Sequence, residues 1–137
     1  MNIREATPPD VPQIGSLIRD LHPDQRGEFD PFRVRQGHRT FVAEDNDRVV
    51  GVLFGTFTSY GLEFESAGHL EQLIVREDAR GVGIGEALVK QWKQWLIREG
   101  VPLGFVSTTD ELGAASFYER CGFSRCIGPF LVWADHS

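Results

Sequence analysis

Two cysteines in 137 residues are too few for a disulfide framework. Cys121 and Cys126 lie close together, with no C-x-x-C or Cys/His zinc spacing around them. Reduced thiols and no metal are the expectation. No apolar run approaches the roughly 20 residues of a membrane span. The opening stretch, MNIREATPPD, carries acids and prolines where a signal peptide has an apolar core. These absences predict a cytoplasmic protein with no membrane partner. Basic residues are outnumbered, 14 against 20 acidic ones, for a net charge of −6. Nucleic-acid binding needs a basic face, so no nucleic-acid partner is expected. The sign suits a cationic amine substrate, although solubility alone explains it as simply. Repeats, low-complexity segments and linkers are also missing. Residues 1–137 therefore read as a single domain, long enough to bury a core without staples.

What is present alternates between two periods. Residues 2–5 predict a short strand. TPPDVPQIGSLIRDL predicts a helix with Thr7 as N-cap and Asp10 near its positive end. Val11, Ile14, Leu17, Ile18 and Leu21 follow the helical period and make its buried stripe. A second short helix is expected from Asp30-Pro31 to about His38. TFVAE and RVVGVLFGTF flank DND, which is a hairpin signal. A loop from Ser59 to Ser66 should lead to a strand over 69–75. A helix should then run to about Glu99, stopped by Gly100. Residues 103–108 read as a short buried strand. DELGAASFYERCG reads as a helix with Asp110 as N-cap and Gly122 as C-terminal cap, and the tail as one or two strands. Hairpins mixed with crossover helices predict an α/β (α+β) fold: a mixed, mostly antiparallel central sheet with helices on both faces.

One stretch asks for an explanation. ARGVGIGEALVKQWKQWL crowds Gly81, Gly83 and Gly85 against strong helix formers, although glycine costs about 1 kcal/mol inside a helix. A strand running into such a loop and helix bares the first N–H groups of the helix, which carry about half a positive charge. Glycines let a ligand approach those groups and let successive N–H groups converge on an anion. A phosphate or pyrophosphate is the predicted ligand. A P-loop would need G-K-[ST], but Glu86 and Ala87 follow Gly85. A dinucleotide fingerprint needs G-x-G-x-x-G, and the spacing here is G-x-G-x-G. Behind the loop, Ile84, Leu88, Trp92, Trp95 and Leu96 recur at helical spacing and are read as core.

The remaining pattern, Arg80-x-x-Gly83-x-Gly85, resembles the R/Q-x-x-G-x-G/A pyrophosphate motif of the GNAT superfamily, the acetyl-CoA-dependent N-acetyltransferases. The likeness extends over LEQLIVREDARGVGIGEALV. About thirty residues on, ASFYERCGF resembles the family's second signature, F-Y-x-x-x-G-F. The resemblance implies acetyl-CoA as cosubstrate, a primary amine of a small molecule or peptide as acceptor, and direct attack in a ternary complex. It implies a strand that splays at a β-bulge beside the cofactor cleft, with backbone of Leu73, Ile74 and Val75 bonding the pantetheine arm. Gly81, Val82, Gly83, Ile84, Gly85 and Glu86 would cradle the pyrophosphate, and Arg80 would add a charged contact. Tyr118 matches the usual general acid for the departing thiolate, with Phe117 packed beside it. One departure stands out: Glu111 occupies the place of an expected Asn. A homodimer rests on analogy with the family alone.

An alkyl amine is mostly protonated at pH 7, so a base, direct or through water, must remove its proton. Glu71 is the candidate, placed by strand alternation on the face of Leu73 and Val75, and His69 is its rival. Glu63 and Glu65 are candidates to line the amine pocket or are simply solvated. His22, His38 and His136 read as surface residues, and Cys121 as packing. A non-catalytic acyl-CoA sensor or interaction module is the alternative function.

Overall fold

The computed structural model of the chain describes residues 1–24, 37–60, 64–108, 113–126 and 133. They fall into two compact units, Met1–Ser107 and Thr108–Ser137. The expected helix from Asp30, the positions Asp110 and Glu111, residues 127–132 of the tail FSRCIGPFLVW, Glu63 and His136 lie outside the described residues, as does the side chain of Glu65; residues 123–126 of that tail, expected as strand, form none.

The first unit is built on a five-stranded sheet in the order β1-β2-β3-β4-β5. Its strands are β1 (Asn2–Glu5), β2 (His38–Asp45), β3 (Arg48–Tyr60), β4 (Phe64–Val75) and β5 (Gly104–Phe105). The first four pair antiparallel, and β5 joins β4 in parallel. The predicted hairpin is there: Asn46 and Asp47 both take positive φ, 51° and 63°, the twist-matching geometry of a two-residue turn. His38, expected to end a helix, instead opens β2. The loop expected over 59–66 is shorter, because β3 and β4 extend to Tyr60 and from Phe64.

Two helices cover opposite faces of this sheet. Helix α1 (Val11–Leu21) sets Ile14, Leu17 and Ile18 against Val42, Val49, Val52 and Ile74. Thr7 is the N-cap, as expected, but of a 3-10 turn that leads into α1. The backbone N–H of Thr7 donates to the Asp10 carboxylate, and Asp10 N–H donates to Thr7 O, closing a 3-10 turn over Pro8–Asp10. The α-helix starts only at Val11. Leu21, expected in the buried stripe, is 44% exposed. It is the last helical residue, beyond the reach of the packed stripe.

Helix α2 (Ile84–Arg98) lies on the other face with all five predicted core residues buried. Four strand glycines make room for it. Gly51 lies under Ile84 and Leu88, Gly55 and Gly104 under Trp92, and Gly68 under Leu96. A methyl group at Gly68 would sit 2.6 Å from Leu96 Cδ1, closer than real carbons come. Glycine is required at these sites by the approach of the helix, not by backbone dihedrals. Trp92, Leu88 and Val89 are 0–1% exposed, so this interface is fully dehydrated.

The second unit holds α3 (Ala114–Arg120), preceded by Gly113 at φ 73°. Its C-terminus closes as predicted at Gly122, φ 95°. Gly122 N–H donates to Glu119 O and Phe123 N–H to Tyr118 O, both at 3.0 Å. The rings of Tyr118 and Phe123 pack edge to face, 5.5 Å between centroids. Those two bonds and the apolar contact make a Schellman cap, which fixes the backbone on which Tyr118 sits.

Candidate functional site

The glycine loop has the shape its sequence requires. After β4 comes a 3-10 turn over Glu77–Ala79, then Gly81 and Gly83 at φ 84° and 87°. A side chain there would be strained by about 1–2 kcal/mol. Nothing lies within 4 Å of where a Cβ would stand at either glycine, so the space above the loop is open. Gly85 needs no positive φ, because it already lies in the first turn of α2. The first intrahelical bond runs from Ala87 N–H to Gly83 O. The N–H groups of Ile84, Gly85 and Glu86 precede it, and no side chain caps them. Three donors, the positive helix end and open space above two glycines fit a phosphate-bearing ligand. Val82 points out, 73% exposed.

Arg80 is less free than expected. Its Nε donates to Val75 O at 3.0 Å, which holds the guanidinium against the end of β4. Arg76 is engaged with Asp78 through two nitrogens at 3.0 and 3.1 Å. A cavity of about 450 Å³ opens here, lined by Leu17, Asp20 and Leu21 of α1, Ile74 and Val75 of β4, and residues 76–78 and 80.

β4 has two unequal edges. One pairs with β3 from Phe64 to Val75. On the other, β5 meets only Gly68 and His69. Beyond His69, among the described residues, no strand covers the edge that carries Leu73, Ile74 and Val75. An extended ligand with its own amide groups would fit such an edge.

The register of β4 slips once near this point. Phe54 faces Gln72 and Gly55 faces Leu70, so Glu71 is the extra residue of a β-bulge. This corrects the placement of Glu71. Strict alternation puts it with Leu73 and Val75, on the face under α2. The bulge instead turns its carboxylate to the opposite face, where Oε1 lies 3.5 Å from Thr56 Oγ1 and 3.6 Å from His69 Nδ1. The His69 ring lies flat on Phe105, with centroids 4.6 Å apart and planes 6° from parallel.

That face carries a polar row which the sequence did not reveal. His38, Thr56 and His69 stand opposite one another on β2, β3 and β4. His38 stacks on Phe54 at 5.3 Å, so it is not the freely solvated residue expected. Its Nδ1 and the hydroxyl of Thr40 are buried with no hydrogen-bond partner. Cross-strand register brings these residues together from 31 positions of sequence, and no local pattern announces it.

In the second unit, Phe117 packs edge to face on Tyr118 at 5.1 Å. Burial, with a smaller push from Cys121, raises the Tyr118 hydroxyl to about 12. The phenol stays protonated through any ordinary assay range and is a hydrogen-bond donor. Among the described residues, no group of three or more His, Cys, Asp or Glu could hold a metal ion, and no helix is long and apolar enough to cross a membrane.

Comparison with known proteins agrees with this geometry. A search of curated proteins finds no match. Among solved structures, a putative acetyltransferase from Agrobacterium tumefaciens superposes with a TM-score of 0.83 at 21% identity, covering 98% of this chain and 100% of that one. A transcriptional regulator from Bacillus halodurans gives 0.82 at 25% identity, covering 97% and 99%. An aminoglycoside acetyltransferase from an uncultured soil metagenomic sample, in complex with trehalose, gives 0.79 at 18% identity, covering 98% and 96%. The family model described as an acetyltransferase (GNAT) domain matches residues 36–125. With the glycine loop, the bulged strand and this match in one chain, the protein belongs to the GNAT acetyltransferases.

Proposed function

We propose that this protein is an acetyl-CoA-dependent N-acetyltransferase that acts, as one domain over residues 1–137, on a primary amine of a small molecule or peptide. The observation that carries the reading is the pairing of two unfilled features. Among the described residues, the N–H groups of Ile84, Gly85 and Glu86 are bare behind Gly81 and Gly83, and the edge of β4 beside them has no partner strand beyond His69. A ligand with a pyrophosphate at one end and an amide-bearing arm at the other uses both. Acetyl-CoA would supply the activated acyl group as a thioester.

The residues then divide the work. The loop from Gly81 to Glu86 holds pyrophosphate, with Val82 alongside and Arg80 adding positive charge. Backbone of Leu73, Ile74 and Val75 aligns the arm, and an N–H at Ile74 or Val75 polarises the thioester carbonyl. Glu71 draws the proton from the incoming ammonium, directly or through a neighbour. Tyr118, kept protonated by burial, donates to the departing thiolate, and Phe117 holds its ring. The unpartnered His38 Nδ1 and Thr40 hydroxyl are suited to polar groups of the acceptor.

Thiol release from acetyl-CoA across a panel of amines (a polyamine, an aminoglycoside, an arylalkylamine and a lysine peptide) tests the reading. Release with at least one amine and acetylated product by mass are expected. A second reading, an acyl-CoA sensor, is favoured by the neighbour described as a transcriptional regulator. Acetyl-CoA raising the Tm with no thiol release from any amine would select the sensor. No Tm shift at millimolar acetyl-CoA would overturn both.

A further inference from the structure

We infer that His69 is the group that takes the proton from the acceptor amine, and that Glu71 positions it. This rests on the acetyltransferase reading above. The two residues stand two apart on β4 and share a face by strand alternation. The bulge at Glu71 separates that face from Leu73 and Val75 and sets both side chains on the side of Thr56. Glu71 Oε1 lies 3.6 Å from His69 Nδ1. Thr56 approaches the same oxygen at 3.5 Å and holds the carboxylate from the β3 side.

The imidazole is fixed on its other flank as well. Phe105 of β5 lies flat against it, and His69 is the last β4 residue that β5 pairs. The ring therefore stands where the two strands part. It is held by a carboxylate at one nitrogen and an aromatic face below. A carboxylate facing Nδ1 favours the tautomer with the proton there. That leaves the Nε2 lone pair as the basic site. Both side chains are 36% exposed, so a solute has access to them.

The charged and titratable groups near the ring are few. Glu71 is on the same strand, and His38 stands beyond Thr56 in the same row. Phe105 and Thr56, from the flanking strands, carry no charge. Glu71 is thus the one described carboxylate that stabilises an imidazolium at His69.

The step balances as follows. Nε2 of His69 takes one proton from the ammonium, and Glu71 stabilises the resulting imidazolium. The freed amine forms a C–N bond to the thioester carbonyl as the C–S bond breaks. The nitrogen loses its second proton to water, and the thiolate sulfur takes one from Tyr118, which is reprotonated from solvent. The imidazolium returns its proton to solvent, so one proton is released per turnover.

Two measurements test this. The first is the tautomer of neutral His69, read on the protein alone by long-range imidazole ¹H–¹⁵N correlation. It is expected to be Nδ1–H in the native protein and to shift to Nε2–H in Glu71→Ala. An Nε2–H tautomer in the native protein, or no change in the variant, overturns the positioning. The second uses the amine from the panel that gives the fastest thiol release. His69→Ala, His69→Gln and Glu71→Ala should each lower kcat about 100-fold with little change in KM for acetyl-CoA, the scale of a lost general base. The His69→Ala/Glu71→Ala double variant should fall no further than the worse single one. His69→Gln keeps a planar polar group over Phe105, so it separates lost chemistry from lost packing. Native kcat in His69→Gln overturns the inference and leaves Glu71 as the base. No thiol release by the native protein with any amine sinks the acetyltransferase reading itself, and the tautomer still decides the pairing.

Discussion

Arg4 grips Asp10 with two nitrogens, Nη1 at 2.7 Å from Oδ2 and Nη2 at 2.9 Å from Oδ1, while the same Nη2 reaches Glu44 at 2.7 Å. One guanidinium thereby ties β1 to β2 and to the turn that opens α1. The Asp10 side chain is 8% exposed. The Arg4 hydrogen bonds hold its carboxyl at about 2, against some cost of burial, and the Thr7 backbone adds to the depression. Arg4 is pushed up in return by Asp10 and then Glu44.

A carboxyl depressed by folding contributes stability above its unfolded value of 3.8 and loses it as pH falls through about 2. The contribution is about 2 kcal/mol. Denaturant unfolding at pH 6, 4 and 3 should show it eroding. In Asp10→Asn the stability at pH 6 should drop by about 2 kcal/mol, and the slope between pH 4 and 2 should flatten. An unchanged slope would remove Asp10 as the titrating group.

Gly83→Asp places a carboxylate and a strained φ at the mouth of the loop. Coenzyme A affinity by calorimetry should fall by more than about tenfold, or 1.4 kcal/mol. Gly83→Ala bears the same strain with little bulk and no charge, so it should lose less. Equal losses would mean that backbone shape alone matters there.

The glycine slots under α2 predict a different failure. Gly55→Ala drives a methyl group into the Trp92 indole and should lower stability by about 1–3 kcal/mol, the cost of overpacking a tight core. Adding Trp92→Phe should recover part of it. If Gly55→Ala melts with the native protein, α2 does not press on β3 as described.

Tyr118→Phe should reduce turnover by about 100-fold while leaving acetyl-CoA affinity near native. Because burial raises the hydroxyl to about 12, its ionisation should leave no alkaline limb in kcat below about pH 11. A limb near pH 9 that vanishes in Tyr118→Phe would contradict the raised value.

Sequence reading succeeded where one residue type answers one local need. Gly81 and Gly83 announced an open loop before a helix, Gly122 a helix end, and Ile84 to Leu96 a buried stripe. These signals lie within a single element. The side of the sheet that Glu71 occupies was not legible, because one inserted residue reverses the alternation and its partner strand lies some sixteen positions away. The row of His38, Thr56 and His69 exists only through cross-strand register. The role of Gly51, Gly55, Gly68 and Gly104 was not legible either, because Ile84, Leu88, Trp92 and Leu96, which need the space, come from a distant helix. Thr7 was legible as the N-cap, but the 3-10 form of the first turn and the Arg4 contacts to Asp10 were not, because Arg4 belongs to another element.

The uneven edges of β4 have a last consequence. A strand with open amide groups on one side is an invitation to any extended chain, including another copy of itself. Among the described residues that edge is unpaired over residues 70–75, so it is where pairing between two copies would begin.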